Sequence, residues 1–290
     1  MTVPPAPPRP PPEGPLAGPS PARADAAGGP AGALARAARD LARLVVPLEC
    51  AGCGQVDVAL CTPCLARLTG PVWRCEAAAP RLDRVGRAPL PVWTLAPYTG
   101  EVRELVVAWK DRGRVDLTPV LTAALAGAGG QVAAVLRAAG LPGAAGSLQV
   151  VPAPSSAVAR RRRGADLVGA LAVGVARGCT EAGLPARAAA VLVQRRGAHD
   201  QVGLTARARR TNLRGRVRWR RGVPLPPPGH PVLLVDDVLT TGATLATCDD
   251  AVRAAGARVV AAITLAATPP PGHGRVEDVR RQGYGGANAG

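Results

Sequence analysis

Phenylalanine is absent from this 290-residue chain, and aromatic side chains make up 2 % of it, as two tyrosines and four tryptophans. A core without phenylalanine has to be assembled from alanine, valine and leucine, which bury less apolar surface per residue. The same scarcity counts against a base-stacking platform for single-stranded nucleic acid. Lysine occurs once, as Lys110, so nearly all the positive charge is arginine. The segment Met1–Pro30 has no apolar stretch of the kind a secretory signal needs. The longest apolar stretches, such as Leu117–Val135, are interrupted by glycine and polar residues and fall short of a membrane span. The expected location is therefore cytoplasmic, without membrane insertion, and paired cysteines there read as metal ligands before disulfides. Neither a Walker A loop nor Gly-x-Gly-x-x-Gly occurs.

Glycine (35) and proline (31) are abundant and gather toward the ends, while the net charge is +16. Between Ser155 and Arg221 there are 16 arginines and 3 acidic residues, a net of +13. Such a block suits a phosphate-rich partner, either nucleic acid or a polyphosphorylated small molecule, or else a solubilising basic face. Residues 1–31 are too poor in large apolar side chains to fold and are expected to be disordered. An amphipathic helix is expected over 32–46, and with the cysteines that follow it makes a module over 32–88. A larger domain spans 89–268, and a Gly-rich tail covers 269–290.

Cys50, Cys53, Cys61 and Cys64 form two Cys-x₂-Cys pairs seven residues apart. Four thiolates are the closed tetrahedral set that structural zinc takes, and zinc would substitute for the core that so short a module lacks. A redox dithiol and two disulfides are the competing readings. Cys75 has no partner two residues on, and Cys179 and Cys248 lie in apolar surroundings expected to bury them.

Pro231–Thr244 is the stretch around which the rest is organised. Val232–Val235 is a continuous apolar run, as in a parallel strand covered on both faces. Asp236 and Asp237 follow, then the hydroxyl-rich turn Thr240-Thr241-Gly242-Ala243-Thr244, a helix to about Ala255, a stop at Gly256, and a strand over Ala257–Ala266. A glycine among hydroxyls at a helix N-terminus presents N–H and O–H groups to one anion, with the helix dipole in support. Carboxylates beside a phosphate seat need something else to hold, and sugar hydroxyls and Mg²⁺ are the natural candidates. The ligand called for carries a phosphate and a ribose.

Elsewhere, Leu90–Gly113 reads as a strand, a turn and a helix ending in a basic tip at Lys110 and Arg112. Gly129–Gly146 reads as an Ala/Gly connection with a helix at about Val132–Ala139. Gln149–Pro152 is a strand end that leads through Pro154, Ser155 and Ser156 into Arg160, Arg161, Arg162 and Arg163, and then a helix over Ala165–Ala176. That arginine-flanked loop could clamp a pyrophosphate or meet nucleic-acid phosphates. Val191–Val193 reads as a third short strand, His199 as a polar loop residue, and Gly222–Gly229 as a Pro-rich linker.

The run Val232–Thr244 resembles the PRPP-binding motif of type I phosphoribosyltransferases at every position. The ordered chain from Leu41 to Thr268 resembles the ComF family of competence-associated, phosphoribosyltransferase-like proteins. The resemblance also rests on the cysteine pairs, Tyr98-Thr99-Gly100 with Trp109-Lys110, Val151–Pro154 with Arg163-Gly164, Arg196 with Gln201 and Leu204, and Arg209 with Asn212. Two departures stand out. Ala165, Asp166 and Leu167 occupy positions where the family has an aromatic, Asn and Gln, and Cys75 lacks the second member of a third pair.

This resemblance implies an α/β fold, a mostly parallel sheet with helices on both faces, plus a small N-terminal zinc module. It implies that Thr240, Thr241, Gly242, Ala243 and Thr244 hold the 5′-phosphate of PRPP, and that Asp236 and Asp237 hold the ribose hydroxyls and support Mg²⁺. Ser155, Arg160 and Arg163 receive the pyrophosphate, and phosphoribosyl transfer goes to a nitrogenous acceptor. Thr240 stands where some purine-acting relatives carry an acid. The resemblance also implies a DNA-uptake setting. There the alternative reading is a non-catalytic factor binding single-stranded DNA through Arg160–Arg163, with partner proteins such as a DNA-uptake helicase.

Overall fold

The structure is a computed structural model and describes residues 48–141, 147–155, 164–194 and 217–270. These all belong to one compact unit beginning at Leu48. The amino-terminal segment, the helix expected over 32–46, Arg160–Arg163, His199, the arginines from Arg195 to Arg216 and the tail from 271 lie outside the described residues.

Val92–Pro97 (β2), Leu148–Pro152 (β3), Ala186–Ala188 (β4), Pro231–Leu239 (β7) and Arg258–Ala267 (β8) pair in parallel, and Trp73–Arg74 (β1) joins one edge antiparallel. The order across the sheet is β1-β2-β8-β7-β3-β4. The central β7 and β8 are apolar enough to be covered on both sides, and Val232–Val235 and Ala261–Ile263 are fully buried. A short helix, Thr62–Ala66 (α1), follows the third cysteine. One face of the sheet carries the helices Gly100–Asp111 (α2), Thr118–Ala138 (α3) and Leu167–Glu181 (α4), packed on Leu233, Val235 and Ile263. The other carries Ala243–Ala254 (α5) and the segment from Ala79 to Leu90, packed on Val232, Leu234 and Ala262. The mostly parallel sheet with helices on both faces and an N-terminal cysteine cluster is the fold the resemblance implied.

Several expectations need correcting. The glycines at 129 and 130 do not interrupt a connection but lie inside α3, a continuous 21-residue helix. They are tolerated because α3 and α4 approach closely: a Cβ on Gly129 would lie 2.5 Å from the Val175 carbonyl oxygen, and one on Gly178 1.8 Å from that of Ala126. With its preceding turn α3 is long and apolar enough by composition to cross a membrane, contrary to the reading of Leu117–Val135. Here Leu121, Leu125, Ala128 and Val132 pack it into the core cluster shared with α4. The strand read at Val191–Val193 is Leu192–Gln194 (β5), and it pairs antiparallel with Val217–Trp219 (β6) in a separate two-stranded sheet. β7 is longer than read and runs through the two aspartates rather than ending before them. The helix read at Ala165–Ala176 starts at Leu167. Asp166 caps it by accepting a hydrogen bond from the Gly169 N–H at 3.2 Å, and Leu167 is buried. Asp166 and Leu167, two of the three departing positions, thus have structural roles.

Candidate functional site

The side chains of β7 alternate faces from Val232 to Asp237, and the alternation shifts beyond the acidic pair, with Val238 packed on the α2–α4 side and Leu239 on the α5 side. Leu233 and Val235 belong to the α2–α4 side, Val232 and Leu234 to the α5 side. Asp237 therefore faces α2, and Asp236 faces α5, where its charge acts on Cys248. Both aspartates are buried, at 9 % and 7 % exposure. The Asp237 N–H donates to Asp236 Oδ1 at 2.9 Å, and the Val238 N–H to Asp237 Oδ1 at 2.7 Å. Burial pushes the Asp236 carboxyl well above the usual carboxylate range, and the charge of Asp237 adds to it. On β8 the residue in register with Asp236 is Thr264, fully buried, whose hydroxyl has no hydrogen-bond partner among the described residues.

Asp237 has a charged partner. Lys110 Nζ lies 2.7 Å from Asp237 Oδ2. α2 leaves β2 at the carboxyl edge of the sheet, and its last turn delivers Lys110 to a carboxylate two strands away, beyond β8. Trp109, fully buried with Nε1 donating to Thr118 Oγ1 at 3.0 Å, anchors that turn. In the sequence Lys110 stood as the single lysine, as part of a basic tip and as half of the Trp109-Lys110 match, without a place in the site. The signal that could have singled it out is its solitude, one lysine against 35 arginines.

The turn leaving β7 leads directly into α5. Thr240, Thr241 and Thr244 are exposed, Ala243 is half-buried, and Gly242 is buried with φ at +77°. Ala243 opens the helix, so the free N–H groups of its first turn lie among the hydroxyls, as an anion seat requires. The conformation needs glycine twice over. Its φ is left-handed, and a Cβ would stand 2.7 Å from Leu82 Cγ and 3.1 Å from Ala79 Cβ.

Leu82 and Ala79 belong to a hood over this turn. The Arg81 N–H donates to the Thr241 carbonyl at 3.1 Å. Arg84 pairs with Asp250 and donates to the Ala246 carbonyl on α5, and Arg87 pairs with Asp250 at 3.1 Å. The chain between the cysteines and β2 is thus part of the turn's wall.

At the neighbouring strand, β3 ends in register with β7, Pro152 opposite Val235, and the Ala153 N–H donates to the Val235 carbonyl at 2.7 Å. The Pro152–Ser155 end of the expected pyrophosphate loop accordingly lies beside the aspartates, whereas Arg160–Arg163 fall outside the described residues. Trp219, the single aromatic of the arginine-rich block, is half-buried against the α5-side core.

The cysteine cluster is a separate centre. The four Sγ atoms of Cys50, Cys53, Cys61 and Cys64 all lie within 4.8 Å of one another and could hold a metal ion. Cys61 Sγ is 3.6 Å from both Cys50 Sγ and Cys53 Sγ, close to the ~3.8 Å that a tetrahedron with ~2.3 Å metal–sulfur bonds requires. Burial raises the Cys50 thiol, but backbone N–H groups of Cys53, Cys61 and Gly52 outweigh it and leave it lowered to about 6. Arg114 braces the cluster from the loop after α2, donating to the carbonyls of Glu49 at 3.0 Å and Ala59 at 3.2 Å. Cys75 is packed against β2, with its thiol 3.4 Å from the Val92 carbonyl. Burial pushes it up, as it does the buried Cys179 and Cys248.

No family model and no curated protein matches the chain. Among solved structures it is similar to a Trypanosoma cruzi hypoxanthine phosphoribosyl transferase, at 14 % identity over 52 % of this chain and 74 % of that one, with a TM-score of 0.32. It is similar to an HPRT carrying a glutamic acid mutation, from work on an invariant aspartic acid, at 14 % identity over 52 % and 78 %, with a TM-score of 0.33. A third is the allosteric regulatory enzyme of purine biosynthesis, at 22 % identity over 52 % of this chain and 26 % of that one, TM-score 0.27.

Proposed function

We propose that the chain binds PRPP with Mg²⁺ and transfers its phosphoribosyl group to a nitrogenous acceptor. The observation that carries this reading is the juxtaposition, at the carboxyl end of the central strand, of the Thr240–Thr244 anion seat with the buried carboxylates Asp236 and Asp237. The N–H and O–H groups of the turn bind the 5′-phosphate, and Asp237 orients the ribose by accepting from its hydroxyls. The residues present fit a magnesium ion, since two carboxylates and the ligand's own oxygens are the hard donors it takes. When bound it supplies charge neutralisation on the leaving diphosphate. The Pro152–Ser155 strand end and the arginine loop that follows support the diphosphate as the C1–O bond breaks and C1 takes on positive charge. The acceptor nitrogen then forms the new bond to C1 and gives up its proton to solvent.

A ligand that binds only the folded chain stabilises it by mass action. PRPP with Mg²⁺ at about a hundred times its Kd adds ~2.7 kcal/mol, which for a domain of this size raises the melting temperature by about 5–10 °C. The expected result is such a rise in the unaltered protein and none in the double variant Asp236→Ala, Asp237→Ala. Absence of a rise in the unaltered protein sinks PRPP binding.

The sequence resemblance supports a finer placement, in the ComF family with zinc on Cys50, Cys53, Cys61 and Cys64 and a DNA-uptake role in the cytoplasm. One zinc per chain is expected by elemental analysis. Cys64→Ser, which removes a buried ligand, should release it and expose the remaining cluster thiols to a thiol reagent. Full zinc retention in that variant contradicts the assignment.

A further inference from the structure

On the α2 side of the acidic pair stands a charged group that the phosphate seat and the hood do not use. Lys110 is the single lysine of a chain that otherwise uses arginine for its positive charge, and its ammonium lies 2.7 Å from Asp237 Oδ2, a buried carboxylate on the central strand β7. Its side chain is 26 % exposed, so it is reachable from the site, while the Trp109 indole beneath it holds the helix end in place.

The choice of lysine has a physical content. A guanidinium in this place would make a planar, two-pronged pair with the carboxylate and stay there. An ammonium is a compact charge on a flexible stem with three rotatable donors, and it can change partners within a few ångströms. Asp237 is also the place where a divalent cation arrives with an anionic sugar ligand. Two cations do not share one carboxylate without repulsion.

Resting on the PRPP reading of the site, we propose that Lys110 is a ligand-binding residue. It neutralises Asp237 in the free protein and swings onto the ligand's diphosphate when the ligand's cation takes its place. The 5′-phosphate then lies on the α5 side of β7 and the diphosphate on the α2 side, on the two faces to which Asp236 and Asp237 respectively point. The ligand class follows from this geometry: a sugar carrying anionic groups at both ends, bridging the carboxyl edge of one strand.

Two ligands separate this role from a structural one. Ribose 5-phosphate has the phosphate for the α5 seat and lacks the diphosphate. In Lys110→Met, PRPP with Mg²⁺ is expected to bind at least tenfold more weakly, and ribose 5-phosphate within twofold of the unaltered protein. Equal losses for both ligands, or unaltered PRPP affinity, overturn the proposal.

A second measurement needs no variant. Because the chain has one lysine, acetylation by an amine-specific reagent reports on Lys110, with the α-amine as internal reference. PRPP with Mg²⁺ should shield Lys110 at least fivefold relative to that reference, whereas ribose 5-phosphate leaves it reactive. Undiminished acetylation with PRPP bound rejects the swing. If the unaltered protein binds neither ligand, the PRPP reading itself fails and this inference with it. That outcome is recognisable because it precedes any effect of Lys110.

Discussion

Replacing Gly178 by valine is expected to leave the protein unfolded or nearly so at 37 °C, and even Gly178→Ala should cost about 3 kcal/mol or more, lowering the melting temperature by about 6–12 °C. The cause lies in what the chain lacks. Without phenylalanine, α3 and α4 fill the space between them by approaching until backbone meets backbone. A Cβ at Gly178 would lie 1.8 Å from the Ala126 oxygen, one at Gly174 2.4 Å from the Thr122 oxygen, and one at Gly129 2.5 Å from the Val175 oxygen. None of these neighbours is the free end of a side chain, so relief requires moving a helix. Gly127 supplies the control. It lies in α3, the partner helix, with nothing within 4 Å of its Cβ position, so Gly127→Ala should stabilise by up to ~1 kcal/mol, as expected for a glycine in an open helical position. Thermal denaturation of the two alanine variants checks the opposite signs. Equal effects contradict the close helix contact.

Gly242→Val is the second large effect, and it falls on binding. The residue has φ at +77°, which costs a β-branched side chain about 1–2 kcal/mol, and its side chain would enter the space of Leu82 and Ala79. The relief available is to tilt the turn or lift the hood. Either moves the first N–H groups of α5 by something like an ångström, a displacement that costs about 100-fold where geometry is strict. PRPP affinity should therefore fall at least that far. The melting temperature should fall by only a few degrees, because the sheet beneath remains covered. A variant that binds PRPP like the unaltered protein removes the turn from the site.

The β7–turn–α5–β8 unit and the cysteine pairs were legible in the sequence because their signals are local. An apolar run, a glycine among hydroxyls, and two-residue cysteine spacings carry their meaning within a dozen residues. What escaped is tertiary. Gly129 and Gly130 read as a break, since mid-helix glycine is costly in isolation, and only the close approach of α4 reverses that judgement. The hood could not be seen, because Arg84 and Arg87 find Asp250 more than 160 positions away. β5 and β6 are short strands that stabilise each other rather than join the main sheet. The aspartates read as lying beyond the strand; within it, they face opposite layers and so have unlike surroundings. Lys110 was visible all along as the chain's only lysine, but its partner was not.

The account's central claim is that the Thr240–Thr244 turn and the acidic pair form one PRPP site. An equilibrium calorimetric titration of PRPP into the full chain, with and without Mg²⁺, tests it most directly. The account predicts saturable binding of one PRPP per chain that Mg²⁺ strengthens and that Gly242→Val loses. No measurable binding of PRPP at millimolar concentration with Mg²⁺ present contradicts it.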